Sequence, residues 1–360
     1  GATYAFEDRV IDGQRVRCVL LDSVQSQANR LELALLEGHR ARKLRFPLVQ
    51  IDFGSVPEEE VRAVGVVTAL ELPHRLADAH FGASEVDEKG KRVPFRHRDP
   101  KKASALGRRF DQGSIANATP IFELCPTALI YGMWDSHGPR GGLGERFQRT
   151  VVSEIVGIDA EAGRRPASRI DPIIRTTKDI PVERSPEGWK VVEKGKAKLS
   201  EVGLGNVTPS LKDEKGREHH GGVTIRSARQ VWHLSLPALR RLRFPLEGRP
   251  TDPAVDVAAR VTLAALALTA QAWQWRSGFD LRSRCLLVPQ HELRVELLSI
   301  GSTSTFSLPA EEVAELLKEA SRAAVAAGLR WNEEPVTLFP GKELVKAVQR
   351  SRQLAAAAPE

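Results

Sequence analysis

An α+β fold with a βαββαβ order is what the sequence predicts, and three observations carry it. A strand-like run, Arg15 to Leu21, feeds directly into a segment whose apolar residues recur every three or four positions. A second, longer helical segment of alanine and leucine runs from Pro253 to Trp275. Around these two helices lie further β-prone runs, starting near Val61, Ile121, Thr150, Val223 and His291.

Each element follows from local chemistry. Tyr4 to Gln14 is polar and charged, with no secretory signal. Arg15 to Leu21 becomes wholly apolar at Val19-Leu20-Leu21, as a strand entering a core does. Asp22 and Ser23 suit an N-cap, Val24, Ala28, Leu31 and Leu35 form the apolar stripe, and Gly38 stands where a C-cap glycine ends a helix. Val61 to Leu72 suits a second strand or a short helix. Val86 to Lys102 is charged and contains Pro94 and Pro100, the composition of an exposed insertion. Ile121 to Tyr131 is apolar and β-prone, Pro126 marking an edge or a break.

Arg164 to His220 is rich in charge, glycine and proline. A structureless loop of that length is uncommon in a compact domain, so the segment reads as an inserted subdomain or hairpin. Lys190, Lys194, Lys196 and Lys198 alternate along one edge of it. Val223 to Leu236 returns to β-prone residues. In the long helix, the charge-free run Val261 to Trp275 is too short to span a bilayer. His291 to Ile300 sets Leu293, Val295 and Leu297 against Arg294 and Glu296, the alternation of a half-buried strand. Leu308-Pro309 followed by Glu311 and Glu312 opens a last helix, Gly328 closes it, and the alanine-rich tail after Leu354 frays. Without its insertions, the order is that of a ferredoxin-like core, the frame of RRM domains.

Composition narrows the function. Of 360 residues, 41% are hydrophobic and 28% charged, enough for one large core or two modest ones. A formal charge of +7 and a pI near 9.4 favour an acidic partner. Cys18, Cys125 and Cys285 are odd in number and far apart, without metal-ligand spacing. They argue against a disulfide framework and a structural zinc, and for a reducing cytoplasm.

The densest chemical signal is His137-Gly138-Pro139-Arg140-Gly141-Gly142-Leu143-Gly144-Glu145-Arg146-Phe147-Gln148-Arg149, with a strand-like run behind it. Glycines let backbone N–H groups approach a ligand, and arginine forks hold phosphate oxygens in pairs. No Gly-Lys-Ser/Thr follows, which excludes a Walker loop, and the spacing excludes a dinucleotide fingerprint. On the first helix Gln25, Asn29 and Glu32 share one face, Ser26 and Arg30 beside them, next to a helix N-terminus that attracts anions. Arg226, Arg229, Arg240, Arg241 and Arg243 fall in a window free of Asp and Glu, with Trp232 and His233 interleaved. A groove that tracks a phosphodiester chain and stacks bases has this pattern. Each feature also fits an ordinary solvated face, and Trp232 a core position.

Catalytic readings are weaker. Asp135, Ser136 and His137 are adjacent in sequence, whereas a triad needs neighbours in space, and no nucleophile elbow is present. His219-His220 lacks a third ligand, and Gly221-Gly222 makes a turn the simpler reading. No catalytic residue, metal or cofactor is assigned.

Two segments carry a resemblance. Leu20-Leu21-Asp22-Ser23-Val24-Gln25-Ser26-Gln27-Ala28-Asn29-Arg30-Leu31-Glu32, together with Trp134 to Gly142 and Arg149 to Ile155, resembles the backbone subunit of the type I-G (formerly I-U) CRISPR Cascade effector complex, a member of the RAMP superfamily. The resemblance runs over most of the chain, with little signal in the charged middle and the tail, and implies a right-hand architecture: 1–85 as the first half of an RRM-like palm, 86–118 as a finger-like insertion and 119–163 as palm strands with the Gly/Arg loop. It further implies 164–222 as an inserted thumb-like β-hairpin region, 223–330 as the second palm half with the long helix and final strand, and 331–360 as a C-terminal extension. Its implied function is non-catalytic: copies polymerise along crRNA as a filament and support pairing of the guide with target DNA. The implied partners are crRNA, target DNA, further copies of the chain, the large subunit, the repeat-handle-binding subunit and a recruited helicase–nuclease, with no membrane. By resemblance, Gln25, Ser26, Asn29 and Arg30 line the palm, and His137, Arg140, Gly141, Gly142, Arg146 and Arg149 close around guide phosphates. Arg226 and Arg229 extend the set on charge alone. Two alternatives stay open: a RAMP-superfamily endoribonuclease that processes repeat RNA through a histidine, and a small-molecule phosphate-binding enzyme.

Overall fold

The computed structural model describes residues 4–136, 146–163, 172–174, 180–185, 188–193, 198–204, 222–247 and 249–357. They form a mixed α/β protein with several sheets and, among the described residues, ten α-helices. The chain opens with β1 (Phe6–Ile11), β2 (Gln14–Asp22) and α1 (Val24–Arg40). There follow β3 (Val49–Asp52), α2 (Glu59–Arg62), β4 (Val66–Thr68), α3 (Ala79–Gly82), β5 (Ser84–Glu88) and β6 (Lys91–Pro94). Next come α4 (Ala105–Phe110), α5 (Thr119–Leu124), α6 (Thr127–Tyr131), β7 (Met133–Trp134), β8 (Arg146–Phe147) and β9 (Val151–Ile158). Short strands β10 (Glu161–Gly163), β11 (Val182–Ser185), β12 (Gly188–Val191) and β13 (Gly222–Thr224) precede β14 (Ser227–Leu234), α7 (Leu236–Leu239) and α8 (Pro253–Ser277). The last third holds β15 (Phe279–Arg282), β16 (Cys285–Leu287), β17 (Arg294–Ser299), β18 (Ser302–Ser307), α9 (Ala310–Ala326), β19 (Val336–Pro340) and α10 (Lys342–Ala357).

Two compact units divide the chain: Gly1–Leu20, Val156–Arg229 and Ala358–Glu360 form the smaller, Leu21–Ile155 and Gln230–Ala357 the larger. A four-stranded sheet has the order β1-β2-β9-β14, and the chain changes unit within β2, β9 and β14. In the smaller unit β1 and β2 form an antiparallel hairpin, Ile11 opposite Gln14. Its turn residues Asp12 and Gly13 have φ of 51° and 78°, the conformation Asp-Gly favours between twisted strands. That signal lay in the segment read only as polar and charged. Cys18, Val156 and Ile158 form this unit's small core, with Ile11, Val16 and Leu20 against it. On β12, Lys190 pairs with Glu183 (3.2 Å); Lys198 is exposed, and Lys194 and Lys196 lie outside the described residues.

The larger unit contains the main core. Its five-stranded sheet has the order β4-β3-β19-β5-β6, with β19 parallel to β3 and antiparallel to β5. α8 runs through the core, with Leu263, Leu266, Ala267 and Ala270 fully buried. Among the described residues it is the one helix long and apolar enough to cross a bilayer, and its burial is that of a core helix.

Val86 to Lys102 was expected as an exposed insertion. Much of it is exposed, but β5 and β6 belong to the five-stranded sheet and Phe95 is buried. Ile121 to Tyr131 is two buried helices rather than a strand, because a continuous apolar run suits either once both sides are covered. Pro126, which suggested a break, stands at the N-cap of α6, and Pro120 lies in the first turn of α5. Residues 331–360, expected as a C-terminal extension, contain β19, the central strand of the sheet, with Trp331, Leu338 and Leu344 buried. Gly38 does not end α1, which runs on to Arg40; it lies inside the helix because a Cβ there would stand 2.5 Å from Leu44 Cδ1. The βαββαβ order is met only in part. The fourth strand of the four-stranded sheet is β1, ahead of the others, and the run at His291 to Ile300 forms a separate hairpin with β18. The alternation holds at Leu293 and Val295, half-buried between the exposed Arg294 and Glu296, and lapses beyond, where Leu297 is exposed, Leu298 is 73% exposed and Ile300 fully so.

Candidate nucleic-acid interface

Ser23 caps α1 by accepting a hydrogen bond from the Ser26 backbone N–H at 3.3 Å. Gln25 and Asn29 are exposed on the first two turns, and Ser26 and Arg30 are half-buried. The residues between them do the opposite. Gln27 is fully buried; its Nε2 donates to Asp22 Oδ2 (2.6 Å), and its Oε1 accepts from Ser153 Oγ (2.9 Å) and Gln230 Nε2 (2.8 Å). Gln274 Nε2 reaches the same oxygen at 3.3 Å. α1 and α8 therefore meet β9 and β14 through one amide and hydroxyl network, with both helices on one face of the sheet there. A network of this kind favours one packing, because each polar group that loses its partner costs desolvation energy.

Arg30 is tied into this framework. Its Nε pairs with Asp22 Oδ2 (2.9 Å), and its Nη2 donates to the Leu281 carbonyl of β15 (2.8 Å). Glu32 does not share the exposed face expected of it. It is buried and pairs in two-pronged fashion with Arg75, at 2.7 and 2.6 Å. Against the desolvation that burial imposes, Glu32 holds the Arg75 guanidinium above its ordinary pKa, so this cation stays charged.

Arg75 joins α1 to the root of the Gly/Arg segment. Its Nη1 donates to the Gly132 carbonyl (2.8 Å), just ahead of β7. Gly132 has φ 84°, and a Cβ there would sit 3.0 Å from the Phe147 carbonyl oxygen, so glycine is required where the hairpin closes. β7 and β8 pair Met133 with Phe147 and Trp134 with Arg146. Met133 and Phe147 point into the core, while Trp134 is 49% exposed with the Arg146 guanidinium 4.3 Å from its ring centre. Beyond them Asp135 accepts two hydrogen bonds from Arg96 (3.1 and 2.7 Å), which also holds Asp111 (2.8 Å). Arg96 is desolvated, and Asp135 and Asp111 together raise its pKa. Asp135 is thus held by Arg96.

Arg146 and Arg149 are both exposed on the hairpin and its exit. His137, Arg140, Gly141 and Gly142 lie outside the described residues, as do His219 and His220. The basic window is divided. Arg226 and Arg229 belong to the smaller unit, where they pair with Asp159 (2.5 Å) and Asp12 (3.6 Å). Trp232 packs against the larger unit's core, so it is not a free stacking ring, and Arg243 donates to the Arg240 carbonyl at 2.6 Å. Sequence reasoning missed the two clamps, the buried Arg75 and the half-buried Arg96, and the exposed Trp134. Only the position of Trp134, just ahead of the glycines, could have drawn notice to it. Among the described residues no group of three or more His, Cys, Asp or Glu could hold a metal ion.

Residues 1–162 match the family of CRISPR-associated protein GSU0053 (Cas_GSU0053). This part of the chain is thus similar to a CRISPR-associated family, which indicates a role in CRISPR defence. The matched span includes α1, the whole Gly/Arg segment and both clamps. No curated protein matches the chain.

Proposed function

We propose that this chain is a non-catalytic, guide-RNA-binding backbone subunit of a type I-G CRISPR Cascade complex, of the RAMP superfamily, acting in the cytoplasm. Copies polymerise along crRNA, support its pairing with target DNA, and assemble with the large subunit, the repeat-handle-binding subunit and a recruited helicase–nuclease. The observation that carries this reading is the coincidence of a match to a CRISPR-associated family with a Gly/Arg segment mounted on a clamped hairpin stem. A rigid root is what a phosphate grip needs, since side chains already held in place lose less entropy on binding. The RRM-like palm finds support in α1 and α8 lying on one face of the sheet at Ser153 and Gln230.

The test replaces Arg140, Arg146 and Arg149 together by Ala. Backbone grip on a single strand predicts a salt slope of about −0.7 per phosphate contact, so the triple variant flattens log K against log salt by about 2 units and yields shorter particles. Full assembly on RNA by that variant would sink the role given to the loop. Site-specific cleavage of repeat RNA by the pure chain would replace this reading with that of a processing endoribonuclease.

A further inference from the structure

We infer that Trp134 is a stacking platform for an unpaired nucleobase, with Arg146 as its backing cation. This rests on the reading above and adds to it a base-contacting residue beside the phosphate-gripping arginines.

Trp134 exposes 49% of its surface on a two-pair hairpin, while its chain neighbour Met133 and the cross-strand Phe147 are buried. It faces outward from a fixed mount: Arg75 holds the residue two positions before it, and Arg96 the residue after it. A large apolar ring held rigidly in water is a ready surface for another flat apolar group. One face of the indole carries the Arg146 guanidinium at 4.3 Å. The opposite face is where a base would stack, completing a guanidinium–indole–base sandwich. A guanidinium that stacks by its face keeps its N–H edge for hydrogen bonds, so Arg146 can serve the adjoining phosphate at the same time. Every base offers a π face, so the platform accepts any sequence, as a guide carrier requires.

The test compares the intact chain with Trp134→Leu and Trp134→Phe on three single-stranded probes of equal length: oligouridylate, oligodeoxythymidylate and an abasic ribose–phosphate oligomer. The leucine variant keeps apolar bulk but loses the π face; it should bind oligouridylate about 5- to 100-fold more weakly, the range that base–aromatic stacking spans. The phenylalanine variant should stay within a few-fold of wild type, and neither change should alter binding of the abasic oligomer. An equal loss on oligodeoxythymidylate supports stacking and extends it to bases of the DNA strand; a loss on oligouridylate alone supports it for RNA. Unchanged oligouridylate binding by the leucine variant overturns the inference. So does an equal loss on the abasic oligomer, which would make Trp134 a brace for the hairpin. If the wild-type chain binds none of the probes at low salt, the parent reading fails and takes this one with it. That outcome is distinct, because the other two leave wild-type binding intact.

Discussion

Hairpin β7–β8 has two cross-strand pairs and hairpin β17–β18 has six, yet the shorter one is the more firmly anchored. At its root Arg75 links the Gly132 carbonyl to Glu32, and Arg96 links Asp135 to Asp111. The longer hairpin exposes Leu297, Leu298, Ile300 and Phe306. A two-stranded ladder is marginal in water whatever its length. What distinguishes the two is whether buried charges on neighbouring elements fasten them to the core.

The contrast can be broken most forcefully at Glu32. Glu32→Gln leaves Arg75 as a buried, uncompensated cation, and denaturant unfolding should register a loss of about 3–5 kcal/mol. A loss within 0.5 kcal/mol would mean that the clamp is incidental. A smaller effect is expected from Arg96→Ala, about 2–3 kcal/mol, because charge-assisted bonds to two part-buried carboxylates vanish. Amide exchange at Trp134 and Phe147 should accelerate in this variant beyond what the global loss accounts for; protection that falls only in step with stability would deny Arg96 its local role. The smallest effect belongs to the long hairpin. Ile300→Ser should shift stability by no more than about 0.5 kcal/mol, as at surface sites without special contacts. A larger shift would reveal that the hairpin is packed after all.

Much of the fold was legible in the sequence, for specific reasons. Local residues mark the start of α1 and α8 and the end of α9: Ser23 and Asp252 accept from backbone N–H groups at the N-termini, and Gly328, with φ 101°, follows the last helix. The reading failed where the deciding contact lies far along the chain. β19 is a strand at the centre of a sheet because β3, almost 290 residues earlier, runs parallel beside it. Ile121 to Tyr131 is helical because core residues cover it on all sides. The site divides in the same manner. Gln25, Asn29, Arg146 and Arg149 are exposed, as a polar helix face and a glycine-rich turn suggest. Arg30 and Glu32 have the same chemistry but are bound to Asp22 and Arg75, and nothing local in the sequence marks them as different.

By itself the sequence determined which segments become helices with self-contained caps, that the chain carries a net positive charge of +7, and where glycine and arginine gather. Only the tertiary structure decided which of the charged groups face solvent and which fasten one element to another. The physical reason is that capping and periodicity act over a few residues. Burial and pairing of a charge depend instead on whichever distant part of the chain folds against it.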